Sequence, residues 1–232
     1  MDIFSDIQLL RDNFSKCVKG YHLINSSPIK ETIWEDINSQ VLIASDCSID
    51  SQSNGSHRSG ADIFCNIGAL SNKSTQYDAG NHSFKLSSYR LTTVCSDKIP
   101  GAIEDILTEI NNRKNFAYYS IIVRNESETE YKYDWYLIPS DLPQLNPNAY
   151  EWHPKIGKIG KNKGINIGWE TNTIEGSSMA ITFSMSSQLW IDVLITEEIK
   201  KYIVGSCNAN KETRINYMQL YDNFGDINLN LP

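Results

Sequence analysis

The sequence predicts an α/β (α+β) fold, a central mixed β-sheet flanked by helices with a C-terminal antiparallel β region. Three observations carry this. Apolar residues recur at helical spacing in the first forty residues and again around Ile106, β-branched and aromatic runs fill the middle, and the last third breaks into short strand-like pieces separated by glycines. A chain of 232 residues, 40% of them apolar, can bury one full core, so a single domain over 1–232 is expected. Within it, the glycine- and lysine-punctuated last third, 146–232, differs in composition from 1–145.

Residues 2–20 place Ile3, Ile7, Leu10 and Phe14 on one helical stripe. A second helix is expected after Ser27 as cap and Pro28 as first residue, with Ile29, Ile33, Ile37 and Val41 four apart. Its other side shows Glu31 and Glu35. A polar loop, "DCSIDSQSNGSHRSG", runs into "GADIFCNIGALSNKST", which reads as a hairpin turning before Gly68. "FKLSSYRLTTV" alternates as a strand does, and Ile103, Ile106, Leu107 and Ile110 mark a third helix. "NFAYYSIIVRN" and "YKYDWYLIPSDL" read as paired central strands, with Tyr131, Tyr133 and Trp135 on one face. Later strands follow in "GINIGWE" and "SSMAITFSMSSQLWIDVLI", then "TEEIKKYIV" as a helix capped by Thr196. The polar tail from Ser206 carries no assignment.

Several function classes drop out early. No apolar run approaches the ~18 residues of a membrane span. The opening "MDIFSDIQLLRDNF" lacks the basic start and unbroken apolar run of a signal peptide, so a cytoplasmic location is expected. Five scattered cysteines without metal spacing read as reduced, buried thiols. A net charge of −7 disfavours a generally basic coat for nucleic acid. A local exception stands out in "HPKIGKIGKNKGINIG", which holds Lys155, Lys158, Lys161 and Lys163 and no acid.

The hairpin carries Asp62 on one arm and Lys73 on the other, with Ser71 on the same face as Lys73. From spacing alone the pair reads first as a surface ion pair worth about 0–1 kcal/mol. An acid on one strand with a lysine on its neighbour is also the arrangement that orients water and offsets charge on a phosphate.

These residues resemble the PD-(D/E)xK nucleases, and among them type II restriction endonucleases. "GAD" stands where that motif has its first acid, and "SNK" where it has acid-x-lysine. The resemblance implies a magnesium-dependent, sequence-specific double-stranded DNA endonuclease, with 1–145 as its catalytic core and 146–232 as its region for DNA recognition and dimerisation. Asp62 and a helix glutamate, Glu35 with Glu31 as the alternative one turn away, would bind Mg²⁺. Lys73 would serve the attacking water, and Ser71 would fill the degenerate acid position. Lys85, also two residues after a serine, is a rival for the lysine's role. For DNA contact the reading names Arg58, Ser87, Ser88, Arg90, Lys158, Lys161, Lys163 and Gln188, and for base edges Asn162, Asn166, Asn172, Ser186 and Ser187 as well. The implied partners are double-stranded DNA, a second copy of the chain and a cognate DNA methyltransferase encoded nearby. A non-catalytic DNA-binding module on a degenerate nuclease fold is the alternative.

Overall fold

A computed structural model describes residues 6–52 and 60–225. His57 and Arg58 of the loop before the hairpin, and Ile3 of the first stripe, lie outside the described residues. The fold is mixed α/β, a central sheet flanked by helices with a β-rich C-terminal region.

Helix α1 (Ile7–Ile24) begins at Asp6, whose carboxylate accepts the N–H groups of Gln8 and Leu9 and so satisfies two of the helix's otherwise unpaired donors. Helix α2 (Glu31–Ala44) starts later than the Ser27–Pro28 signal suggests. The intervening strap is used for docking instead. Ile29 is fully buried, its N–H donates to the Tyr133 hydroxyl at 3.1 Å, and its carbonyl accepts from Ser74 Oγ at 2.8 Å. The buried stripe of α2 is also rotated from the expected one. Trp34, Ile37, Asn38, Val41 and Leu42, at i, i+3, i+4, i+7 and i+8, face the sheet.

Strands β1 (Ile49–Gln52), β2 (Ile63–Cys65) and β3 (Gly68–Asp78) follow, with β2 and β3 forming the expected hairpin. Gly68 sits at φ +124°, a backbone conformation that side chains resist. β4 (Ser83–Arg90) returns antiparallel, α3 (Ile103–Arg113) crosses over, and β5 (Tyr118–Glu126) enters parallel to β3. β6 (Glu130–Pro139) pairs with β5, and β7 (Trp152–Ile156), β8 (Asn166–Thr171), β9 (Ser178–Thr182) and β10 (Gln188–Leu194) form an antiparallel run that closes on β4. The short α4 (Glu197–Lys200) keeps its Thr196 cap, but Ile203–Asn210 is strand β11, paired with β6. Those residues alternate buried and exposed, a strand period that the helical reading of "YIV" and the unassigned tail overlooked. α5 (Tyr217–Phe224) ends the described chain.

The strand order is β11-β6-β5-β3-β4-β10-β9-β8-β7, with β2 joining β3 and β1 joining β2. Two apolar cores result. One lies between α1, α2 and the faces of β3, β5, β6 and β11, centred on Phe14, Trp34 and Trp135. The other joins α3 to the opposite face and extends under β4, β9 and β10. All five cysteines are free, and all but Cys17 are buried. No described helix is long and apolar enough to cross a membrane.

Candidate functional site

The site forms where β3 changes partners. Its ladder with β2 ends at Leu70, and its ladder with β4 begins at Tyr77. In between, side chains replace strand pairing on that edge. The N–H of Asn72 donates to Asp62 Oδ2 at 2.6 Å, and Thr75 Oγ1 donates to the Lys85 carbonyl at 2.6 Å. Asp62 itself donates its N–H to the Leu70 carbonyl, which holds it opposite the end of the hairpin.

Alternation along β3 turns Leu70 and Asn72 toward α2 and leaves Ser71 and Lys73 on the other side. A buried polar network fixes α2 above this edge. Asn38 donates through Nδ2 to Asn72 Oδ1 (2.6 Å) and Ser120 Oγ (2.9 Å), while the indoles of Trp34 and Trp135 donate to the Ser120 carbonyl and hydroxyl. With α2 so placed, its first turns hang over the hairpin. Lys73 Nζ reaches back to Glu31 Oε1 at 2.7 Å and also donates to the Asn72 carbonyl at 2.8 Å.

The structure therefore gathers Glu31, Glu35, Asp62, Ser71 and Lys73. Glu31 and Glu35, named as alternatives from the sequence, both belong to the group, one turn apart on one helix face. Burial, and then repulsion from Asp62 and Glu31, raises the Glu35 carboxyl to about 7, against the pull of Lys73. Burial likewise raises Asp62, opposed by Lys73, by the Asn72 N–H and by the Ser71 hydroxyl. Ser71 thus serves as a hydrogen-bond partner of the acid.

The expected Mg²⁺ centre is corrected by this geometry. Among the described residues no group of three or more His, Cys, Asp or Glu side chains is set to hold a metal ion. Glu31 is committed to Lys73, and Asp62 to a backbone amide and a hydroxyl. Asp62 and Glu35 are accordingly not assigned as metal ligands.

The other expected residues scatter in an orderly way. Lys85 turns to the Trp190 ring, 5.8 Å from its centroid. Ser87 Oγ donates to Gln188 Oε1 at 3.0 Å, so these two meet on the exposed face across the β4–β10 pair. Ser88 is buried and shares a 3.3 Å hydrogen bond with Tyr119, its hydroxyl turned from solvent. Arg90 is exposed at the end of β4. Lys158, Lys161 and Lys163 are exposed on the β7–β8 loop.

Sequence reasoning missed the Asn38–Asn72–Ser120 network. The spacing of Trp34 and Asn38, four apart on the helix, is the signal that could have found it. Comparison of the chain with protein-family models, with curated proteins and with solved structures found no match.

Proposed function

We propose that the chain is a double-stranded DNA endonuclease that hydrolyses phosphodiester bonds at the Glu31–Glu35–Asp62–Lys73 group. One observation carries the reading: a buried-side lysine held at 2.7 Å from Glu31 stands at a break in sheet pairing beside Glu35, a carboxyl at about 7. A base titrating near neutrality is half ready to accept a proton and strong enough to take one. In the proposed reaction a water oxygen forms the new bond to phosphorus and passes its proton to Glu35. The P–O bond to the leaving nucleoside breaks, and that oxygen takes a proton from solvent. Lys73, exchanging Glu31 for the phosphate, offsets charge growing on the non-bridging oxygens. Asp62, anchored by the Asn72 amide, holds its carboxyl beside Lys73.

The resemblance of "GAD" and "SNK" to restriction endonucleases supports double-stranded DNA as substrate, and with it a homodimer, since two antiparallel strands are most simply cut by a two-fold pair. A cognate methyltransferase belongs to the same proposal. The test is cleavage of supercoiled plasmid by purified protein, with divalent cations and with chelator in parallel, against Lys73→Ala. Discrete cleavage lost in the variant supports the reading. No cleavage by the wild type in any buffer overturns it.

A second reading draws on Ser71. A hydroxyl where the resembled motif has an acid, together with a lysine already paired, suits a DNA-binding module that does not cut. Binding of plasmid DNA with no cleavage in any buffer would select it.

A further inference from the structure

Beside the lysines expected to contact DNA, the β7–β8 loop exposes apolar side chains that the nuclease reading does not use. Residues 157–165 close on themselves through backbone bonds: Gly157 N–H to the Ile165 carbonyl and Gly164 N–H to the Gly157 carbonyl, both 2.9 Å, with Ile165 N–H to the Asn162 carbonyl at 3.1 Å. Gly160 and Gly164 take positive φ, and a Cβ on Gly157 would collide with the Asn162 carbonyl. A loop so tied keeps its two apolar residues, Ile159 and Ile165, at the surface. Ile159 stands 83% exposed, with Lys158 and Lys161 on either side.

A second apolar tip rises at the same end of the sheet. β8 begins beside the end of β9, where Gly168 pairs with Thr182 and Phe183 N–H donates to the Ile167 carbonyl. Lys155 Nζ ties the two hairpins by donating to Thr182 Oγ1 at 3.0 Å. The β9–β10 turn therefore emerges alongside the β7–β8 loop, and its Met185 is 86% exposed. The turn is built as well: Ser187 Oγ donates to the carbonyls of Thr182 and Ser184 and accepts the Ser184 N–H. Arg90 and Gln188, paired across β4 and β10, complete this end. It is also the end of the candidate site, because Ser88 on β4 meets Tyr119, the ladder partner of Ser71.

We propose that Ile159 and Met185 are apolar wedges that press against base steps of duplex DNA, while Lys158, Lys161 and Lys163 hold the flanking phosphates. Isoleucine and methionine are among the side chains that architectural proteins insert between base pairs, and such insertion needs a rigid support with cations beside it. Charge decides the partner: from His153 to Trp169 the chain carries four lysines and no acid, within a protein of net charge −7. An anionic membrane surface offers the same charge, but stable residence there calls for a broad apolar face, and the exposed Ile156, Ile159 and Ile165 are interrupted along the chain by Lys158, Lys161 and Lys163. The proposal deepens the DNA reading above and rests on it for the partner, not for the cutting.

The experiment measures binding of the full chain to a fluorescent mixed-sequence 30-bp duplex with phosphorothioate linkages, by anisotropy over a range of salt. The Ile159→Ser/Met185→Ser variant is expected to bind at least fivefold more weakly with an unchanged salt slope. Lys158→Ala/Lys161→Ala/Lys163→Ala is expected to flatten the slope of log K against log[salt] by about 2–3. Unaltered duplex affinity in the double serine variant overturns the proposal, even if the wild type cuts plasmid. Loss of binding to phosphatidylserine vesicles with duplex binding unaltered also overturns it, in favour of a membrane. If plasmid is never cut yet both variants behave as expected, the wedge stands and the nuclease reading alone fails.

Discussion

The two halves of the sheet are finished differently. Around β3, β5, β6 and β11 one face is covered by α1 and α2, and polar groups under those helices are knitted into the Asn38–Asn72–Ser120 network. Along β4, β10 and β9 one face packs into the core, while the other carries Lys85, Ser87, Gln188, Trp190 and Asp192, each at least partly exposed. The covered half holds charges in fixed places. The open half displays donors, acceptors and one stacked cation. This contrast teaches that burial around β3 fixes where Glu31, Glu35 and Lys73 sit, whereas the β4–β10 face is left open to solvent.

Tryptophan truncation is the most forceful way to break the comparison. Trp135 is fully buried against Phe14 and Trp34, so Trp135→Ala should lower unfolding free energy by about 3–5 kcal/mol in urea titrations. Trp190→Ala on the open face should cost less than about 1 kcal/mol beyond its cation contact. Equal losses would erase the distinction. A step smaller, Asn38→Ala leaves Asn72 Oδ1 without its donor and should cost about 1–3 kcal/mol, while Gln188→Ala stays within about 0.5 kcal/mol. Thermal melts of the two variants side by side would decide it.

The smallest effect concerns pH. Because the folded Glu35 carboxyl sits near 7, above its ordinary 4.5, the native chain holds a proton there that the unfolded chain has lost. Stability from this group therefore falls as pH rises from about 4.5 to 7, and above 7 its full penalty remains. Glu35→Gln should leave the melting temperature unchanged below pH 4.5 and raise it by about 2–4 °C at pH 8, a value reduced for the group's partial exposure. A larger gain in acid than in base would reverse the sign and refute the electrostatic account.

Much of the fold was legible because hydrophobic period carries it. The hairpin at Gly68, the strands of Tyr118–Glu126 and Glu130–Pro139, and helix α3 all stand close to where their patterns place them. The start of α2 was not legible, because a local cap signal at Ser27 lost to a long-range contact: Ile29 is drawn into the core and bonded to Tyr133, 104 residues away in sequence. Strand β11 was hidden for a similar reason, its pairing with β6 being invisible to local pattern. At the site, the shared face of Ser71 and Lys73 followed from alternation along the hairpin, while Asp62 was singled out by its place on the other arm and by the resemblance. The pairing of Lys73 with Glu31 depends on how α2 docks, which the Asn38 network sets. The metal centre failed as an expectation because a motif fixes residue types, while coordination needs carboxylates free to converge.

The most direct measurement of the central claim is the pH dependence of DNA cleavage by the wild type and by Glu35→Gln. With Glu35 as the base beside Lys73, the wild-type rate should climb through a midpoint near pH 7, and Glu35→Gln should lose that limb together with at least a hundredfold in rate. A variant that keeps both the rate and the midpoint would contradict the account.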